Sequence, residues 1–229
     1  MTGLFETMLA IGGRVIQREE HFARLARSAN ELGLPTPDEE QFRAAIAGAV
    51  RSEEEMAVRC IYENAQFTAT SGPIPIVTLH RREGAHVVTL GHGVVRDRPS
   101  HKLTSYMTSR PAIPAGANEA LFVDGHGHIL EGTTTTVFAV DGDTLITARD
   151  SVLPGIVRAW VIDHAPKVIQ RRPTIAELRA GSFLTSSLTP LAPIVTLDGV
   201  ACEAPGQVFV ELRERYARMQ RESRPRMDK

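Results

Sequence analysis

Asn118 to Val140 reads NEALFVDGHGHILEGTTTTVFAV. An apolar run at 118–123, the glycine-broken DGHGH, a short run Ile129–Glu131 and a β-branched run Thr135–Val140 predict three strands joined by tight turns. Asp141-Gly142-Asp143 then turns the chain into a further strand at 144–147. Such a set of short antiparallel strands has to be covered by helices, and the flanks supply them. On the C-terminal side, Pro154-Gly155 opens a helix to about Ala165, Thr174 caps a short helix at 174–180, and strands are expected near 182–186 and 193–198. A last helix carries Phe209, Leu212, Tyr216 and Met219 on one face.

On the N-terminal side, Leu4–Ile16 alternates around Gly12-Gly13 as a hairpin. Phe22, Leu25, Ala26, Ala29 and Leu32 then mark one face of a helix over Glu19–Leu32. A second helix is expected from Thr36, read as its N-cap with Pro37 in the first turn and Glu39 completing a capping box, and its apolar face is Phe42, Ala45, Ile46, Ala49 and Val50. Beyond the charged turn at Arg51–Glu55, β-rich stretches are expected at 56–68, 74–80 and 86–95. The polar stretch RDRPSH, Arg96–His101, breaks this pattern and suits an interdomain connection. The reading is α+β: an N-terminal α/β domain at 1–95, a connection at 96–102, a C-terminal α/β domain with an antiparallel barrel-like sheet at 103–220, and a flexible tail at 221–229.

The 229 residues suffice for a sizeable core, and 42% hydrophobic with 23% charged residues is the composition of a globular chain. No apolar run approaches the roughly eighteen residues that span a bilayer, so no membrane partner is expected. MTGLFETMLA lacks a basic n-region and carries Glu6, which argues against a signal peptide. A net charge of −1 gives no overall pull toward nucleic acid. Cys60 and Cys202 stand far apart without a CxxC, so neither a disulfide framework nor a structural zinc site is expected, and the cytoplasm is the default location. The His126-Gly-His128 pair has no third ligand at metal spacing, and no metal is expected. Dinucleotide, P-loop and nucleophile-elbow signatures do not occur. The Thr133–Thr136 run reads as a polar strand edge.

Lysine occurs only at 102, 167 and 229, so that 23 of the 26 basic residues are arginine, a bias that high-GC codon usage also produces. Lys229 is in the tail and Lys167 follows Pro166 on an expected surface, whereas Lys102 lies among Leu103, Tyr106 and Met107 at the expected junction. A lone lysine is ordinarily a surface residue; the segments around this one point elsewhere.

LFETMLAIGGRVIQREEHFARLARSANELGLP, VRCIY, HKLTSYM, NEALFVDGHGHILEGTTTTVFAV, LITARDSVLPGIVR and FLTSSLTPLAPIVTLDG, in this order and spacing, resemble the fold-type IV pyridoxal-phosphate enzymes, the class IV aminotransferases. The resemblance covers nearly the whole chain. It implies a two-domain fold like that of D-amino-acid aminotransferase, a homodimer, and pyridoxal 5'-phosphate in the interdomain cleft of each subunit. Lys102 matches the lysine that forms the internal aldimine and then shuttles the substrate proton, which needs an amine that is deprotonated part of the time. Glu131 matches the carboxylate facing the pyridine nitrogen, and Arg59 the arginine whose fork grips the phosphate. Ile156 and Val157 match the helix start whose N–H groups cradle that phosphate, with Ser187 as the hydroxyl there. Leu188 falls near the substrate carboxylate, and Tyr106 where a tyrosine contacts the phenolic oxygen.

Departures from the family pattern fall in several blocks. The family has some twenty residues ahead of FET, with a strand and a GDG turn. This chain has Glu63-Asn64 in place of an arginine-glycine pair, Ser105 and Thr136 in place of asparagine, and Val157 in place of threonine. The expected reaction is transamination between an amino acid and a 2-oxo acid. The alternative within the family is 4-amino-4-deoxychorismate lyase, which eliminates pyruvate to give 4-aminobenzoate, and the alternative outside catalysis is a dimeric relic of the family.

Overall fold

Strand β1 (Leu4–Ile11) turns through Gly12 and Gly13, both at positive φ, into β2 (Arg14–Val15), because glycine adopts that conformation without steric cost. The computed structural model describes residues 3–50 and 54–222. Helices α1 (Arg18–Glu31) and α2 (Glu39–Ala49) follow, then the hairpin β3 (Met56–Glu63) and β4 (Gln66–Gly72). The sheet runs β2-β1-β3-β4, all antiparallel, with Leu4 opposite Tyr62 and Ala10 opposite Met56. Met8, Ala10, Val58 and Cys60 from its strands pack with Phe42 and Ile46 of α2, and Leu4 and Tyr62 with Leu25 and Ala29 of α1. The N-cap of α2 is Asp38, which accepts from Gln41 N at 2.8 Å, and not Thr36. Asp38 has the extended backbone and the short carboxylate a cap needs, so the helix starts two residues later than expected.

The stretch expected as a strand at 74–80 is instead α3 (Ile76–Glu83), launched from Pro75. After it β5 (Ala85–Thr89) ends well short of residue 95, and a short α4 (Tyr106–Ser109) follows Lys102. Strands β6 (Glu119–Val123), β7 (Ile129–Gly132), β8 (Thr136–Asp141) and β9 (Thr144–Thr147) realise the opening stretch. They lead to α5 (Ile156–His164), β10 (Lys167–Gln170), α6 (Ile175–Arg179), β11 (Ser182–Thr185), β12 (Ala192–Leu197), β13 (Val200–Ala201) and α7 (Gly206–Glu222). The expected Thr174 cap on α6 is present, and the structure extends it to a capping box: Thr174 Oγ1 accepts from Glu177 N while Glu177 Oε2 accepts from Thr174 N.

This second sheet runs β10-β9-β8-β11-β12-β5-β6-β7 with β13 on β12. It is mixed, not antiparallel: β10–β9, β12–β5 and β5–β6 are parallel pairs. The crossover through α5 from β9 to β10 and the long segment 90–118 from β5 to β6 allow this, since parallel neighbours need a long connection. Its core gathers Val87, Leu121, Ile129, Val137, Ile146, Leu184 and Ile194. The described residues divide into one unit of 3–50, 54–74, 101–109 and 217–222, and another of 75–100 and 110–216. This differs from the expected halves because β5 belongs to the second sheet and the segment after Lys102 belongs with β1. Residues 223–229 of the expected tail lie outside the described residues.

Candidate active site

In the first unit, Lys102 is stitched to β1. Its carbonyl accepts from Phe5 N at 2.9 Å, Leu103 bridges Leu4, and Thr104 N donates to Gly3 O at 2.9 Å. The lysine is half-buried, and its Nζ stands 4.6 Å from the Phe5 ring centroid. Arg59 is exposed on β3 opposite Thr7, and its guanidinium carbon lies 5.6 Å from the same ring. Both cations therefore lie against the Phe5 ring, an attractive arrangement for each. Tyr106 is half-buried at the start of α4, where its N–H donates to Leu103 O.

Directly beside Phe5 the chain buries a charge. Glu6 Oε1 accepts from Arg24 Nε at 2.8 Å, and Oε2 accepts from Arg24 Nη2 at 2.5 Å with His21 Nδ1 at 2.7 Å. Burial pushes the Glu6 carboxyl up, but Arg24 and His21 outweigh it and hold it at about 2. Burial moves His21 the other way from Glu6's pull, below its ordinary value.

In the second unit, Glu131 on β7 is 3% exposed. Its Oε2 accepts from Leu153 N at 2.9 Å and its Oε1 lies 3.5 Å from Arg96 Nη1. Burial lowers Arg158, in the first turn of α5, below the usual guanidinium range, against the opposing charge of Glu131. Leu153 leads through Pro154 into α5, whose N-cap, Gly155, provides no side-chain cap. The first α5 amide with a partner in the helix is Ala159, to Gly155 O, so those of Ile156, Val157 and Arg158 are the orphan donors of a helix start. A Cβ on Gly155 would come within 2.9 Å of Thr136 Oγ1. Thr136 in turn pairs with Thr185 across β8 and β11. The register thus gathers Gly155, Thr136 and Thr185. The turn after β11 closes with Ser186 N on Thr189 O and Thr189 N on Ser186 Oγ; Ser187 and Leu188 are half-buried within it, and Leu188 O accepts from Arg82 Nε at 2.6 Å.

Lys102, Tyr106 and Arg59 therefore belong to the first unit, with Lys102 and Arg59 both against Phe5. Glu131, Ile156, Val157, Ser187 and Leu188 belong to the second, ordered along β7, the start of α5 and the turn after β11. Thr185 and Thr189 were not singled out from sequence. Both are buried, and their Oγ1 atoms have no hydrogen-bond partner among the described residues. The orphaned Thr185 hydroxyl, on the register partner of the Thr136 that meets Gly155 at an uncapped helix start, fits a phosphate, and a buried carboxylate fits a protonated ring nitrogen. Thr185 within FLTSS and Thr189 just after it were the available signal.

A model of the amino-transferase class IV family matches residues 3–197. The chain belongs to the class IV aminotransferases. These enzymes use pyridoxal phosphate, and the fold is that of the fold-type IV transaminases. Over 256 residues the chain is 30% identical to the bifunctional aminodeoxychorismate lyase / D-amino acid transaminase of Mycobacterium tuberculosis, covering 92% of this chain and 87% of that protein. A hypothetical aminotransferase from Mycobacterium tuberculosis, solved in its PLP-bound form, matches with a TM-score of 0.79 and 30% identity over 93% of this chain and 87% of that one. The fold-IV transaminase of Curtobacterium pusillum matches with a TM-score of 0.76 and 27% identity over 96% and 85%.

Proposed function

We propose that this class IV aminotransferase moves an amino group between an amino acid and a 2-oxo acid, with Lys102 as covalent anchor and base. The observation that carries this is the fixing of Lys102 by main-chain bonds to β1, whereas Lys167 is exposed on β10. Pyridoxal phosphate, when bound, supplies an aldehyde that bonds to amines and a ring that accepts the electron pair left at the substrate Cα. The Lys102 amine would hold the cofactor covalently and, once freed, would take the proton from the substrate Cα and deliver it to the cofactor's C4′. Glu131 holds the proton on the ring nitrogen; Leu153 N fixes the carboxylate's direction. The amides of Ile156 and Val157 and the hydroxyls of Thr185, Ser187 and Thr189 would hold the phosphate, with Arg59 as its counter-charge, and Tyr106 would donate to the phenolic oxygen. The valine at 157 gives up a side-chain hydroxyl and keeps its backbone donor. Leu188 borders the substrate carboxylate.

A second reading is aminodeoxychorismate lyase, favoured by the name of the 30%-identical relative. Both use the same base and anchor. The purified enzyme is given aminodeoxychorismate, with 4-aminobenzoate and pyruvate as readouts, and separately D- and L-amino acids with 2-oxoglutarate. Amino transfer in the second assay is expected; product from the first alone would replace transamination by the lyase reaction. Borohydride should fix the cofactor to wild type and not to Lys102→Ala. Fixation in the variant would remove Lys102 from its role, and a colourless wild type would leave only the relic. The same reading makes the enzyme a cytoplasmic homodimer, supported by exposed Ile76, Val77 and Leu79 on α3 and by two free cysteines.

A further inference from the structure

Glu119, the first residue of β6, is wholly buried yet serves neither the core nor the groups assigned above. Its Oε1 accepts from Ala120 N at 3.0 Å, Thr133 N at 3.1 Å and Thr133 Oγ1 at 2.5 Å. Its Oε2 accepts from Thr134 N at 3.2 Å, Thr134 Oγ1 at 2.7 Å and Thr135 Oγ1 at 3.1 Å. Arg81, also buried, stands 3.4 Å away as counter-charge, and its Nη1 donates to Thr134 Oγ1 at 2.9 Å. The threonine run is therefore no polar strand edge: its first three hydroxyls all converge on one carboxylate.

Burying a carboxylate is costly unless every lone pair is used, and a short turn closes without one by backbone bonds alone. The charge must then hold something that backbone pairing does not. What it holds is the chain directly after Glu131. Thr133 N is shared with Ala120 O at 2.8 Å, Gly132 N donates to Thr135 O at 2.8 Å, and Gly132 is registered on Leu121. A Cβ on Gly132 would overlap Thr135 Oγ1 and come within 3.1 Å of Glu119 Cδ, so the loop is packed down onto the carboxylate itself. The backbone at 131–133 is left with one position, and the Glu131 side chain leaves it toward Leu153 N. Carboxylates that must meet a partner to within a fraction of an ångström are held by just such a supporting layer.

We infer that Glu119 is a positioning residue for Glu131, acting through the Thr133–Thr135 turn; this rests on the reading of Glu131 as the carboxylate at the ring nitrogen. The test titrates apoenzyme with pyridoxal phosphate and records the affinity, together with the pH at which the bound cofactor's absorption band changes. Glu119→Gln places an amide donor against amide and hydroxyl donors and can cost folding, so the decisive pair is Thr133→Val, which deletes one hydroxyl at nearly constant shape, and Thr133→Ser, which restores it. Thr133→Val is expected to weaken binding about tenfold and to shift the absorption pH in the direction that Glu131→Gln does. Thr133→Ser should stay within about twofold of wild type, and Thr133→Val should add less than about twofold to Glu131→Gln. Unchanged affinity in Thr133→Val, or losses that multiply in the double variant, would overturn the inference while leaving Glu131 in place. If Glu131→Gln itself changes neither affinity nor absorption pH, the reading of Glu131 falls first, and this inference with it.

Discussion

Glu6 sits next to the phenylalanine that carries Lys102, and its carboxylate is satisfied entirely from α1, by Arg24 and His21. Its ordinary value near 4.5 falls to about 2 in the fold, so the folded protein refuses protons that the unfolded chain accepts between these limits. The sign follows: the stabilisation is complete above pH 4.5 and drains away as pH falls toward 2, with a total on the order of 3 kcal/mol. His21 is also lowered, mainly by burial, so below its ordinary 6.5 the unfolded chain again binds the extra proton and stability falls with pH. Urea unfolding of the apoenzyme between pH 8 and 3 is expected to show loss beginning below pH 6.5 and deepening below 4.5. Glu6→Gln leaves Arg24 buried without its counter-charge and should cost about 3–5 kcal/mol at pH 7, a gap that narrows on acidification. A gap that stays constant down to pH 3 would mean that this carboxylate does not carry the acid sensitivity.

At the scale of elements, the start of α5 depends on a close approach that only glycine permits. Gly155 has an ordinary φ of −65°, so its requirement is steric: a methyl there meets Thr136 Oγ1 at 2.9 Å and Arg158 Cβ at 3.1 Å. Gly155→Ala is expected to destabilise by about 1–3 kcal/mol through overpacking and to weaken pyridoxal-phosphate binding. Removing the obstructing hydroxyl in Gly155→Ala/Thr136→Ala should make the double variant cost less than the sum of its parts in chemical unfolding. Strict additivity would show that the two residues do not meet. The α5 start was legible because Pro154-Gly155 is a strong local signal. By contrast, α3 was read as a strand: Ile74, Ile76, Val77 and Thr78 favour strands, yet Pro75 N-caps a helix that leaves Ile76 65% exposed. Propensity expresses burial on a pleated face, and here Thr78 and Arg81 are buried at helical spacing while Ile76, Val77 and Leu79 are exposed. Thr36 and Asp38 are both competent caps, and two residues of backbone geometry chose between them. β10 went unread because four residues that pair in parallel leave no alternation to detect.

For the whole molecule, the addresses of Lys102, Glu131 and α5 could be found along the chain, whereas their supports could not. Thr136 reaches Thr185 across 49 positions only through the register of β8 on β11. Glu119 is one of 27 acidic residues and Arg81 one of 23 arginines, and residue type does not announce that either is buried. These supports make one collective expectation. A cofactor bound by the native fold alone stabilises it by mass action, about 2.7 kcal/mol at a hundred times its dissociation constant. For a chain of 229 residues, each kcal/mol moves the melting temperature by about 2–4 °C, so saturating apoenzyme to that level should raise it by roughly 5–10 °C. On the proposed reading, Lys102→Ala keeps the phosphate donors and Glu131 but loses the covalent bond, and at the same cofactor concentration it should gain distinctly less. Glu131→Gln should also gain less, while its borohydride fixation through Lys102 persists. Equal shifts in wild type and Lys102→Ala would show that the amine adds nothing to holding the cofactor, and scanning calorimetry of the three proteins with and without pyridoxal phosphate decides it.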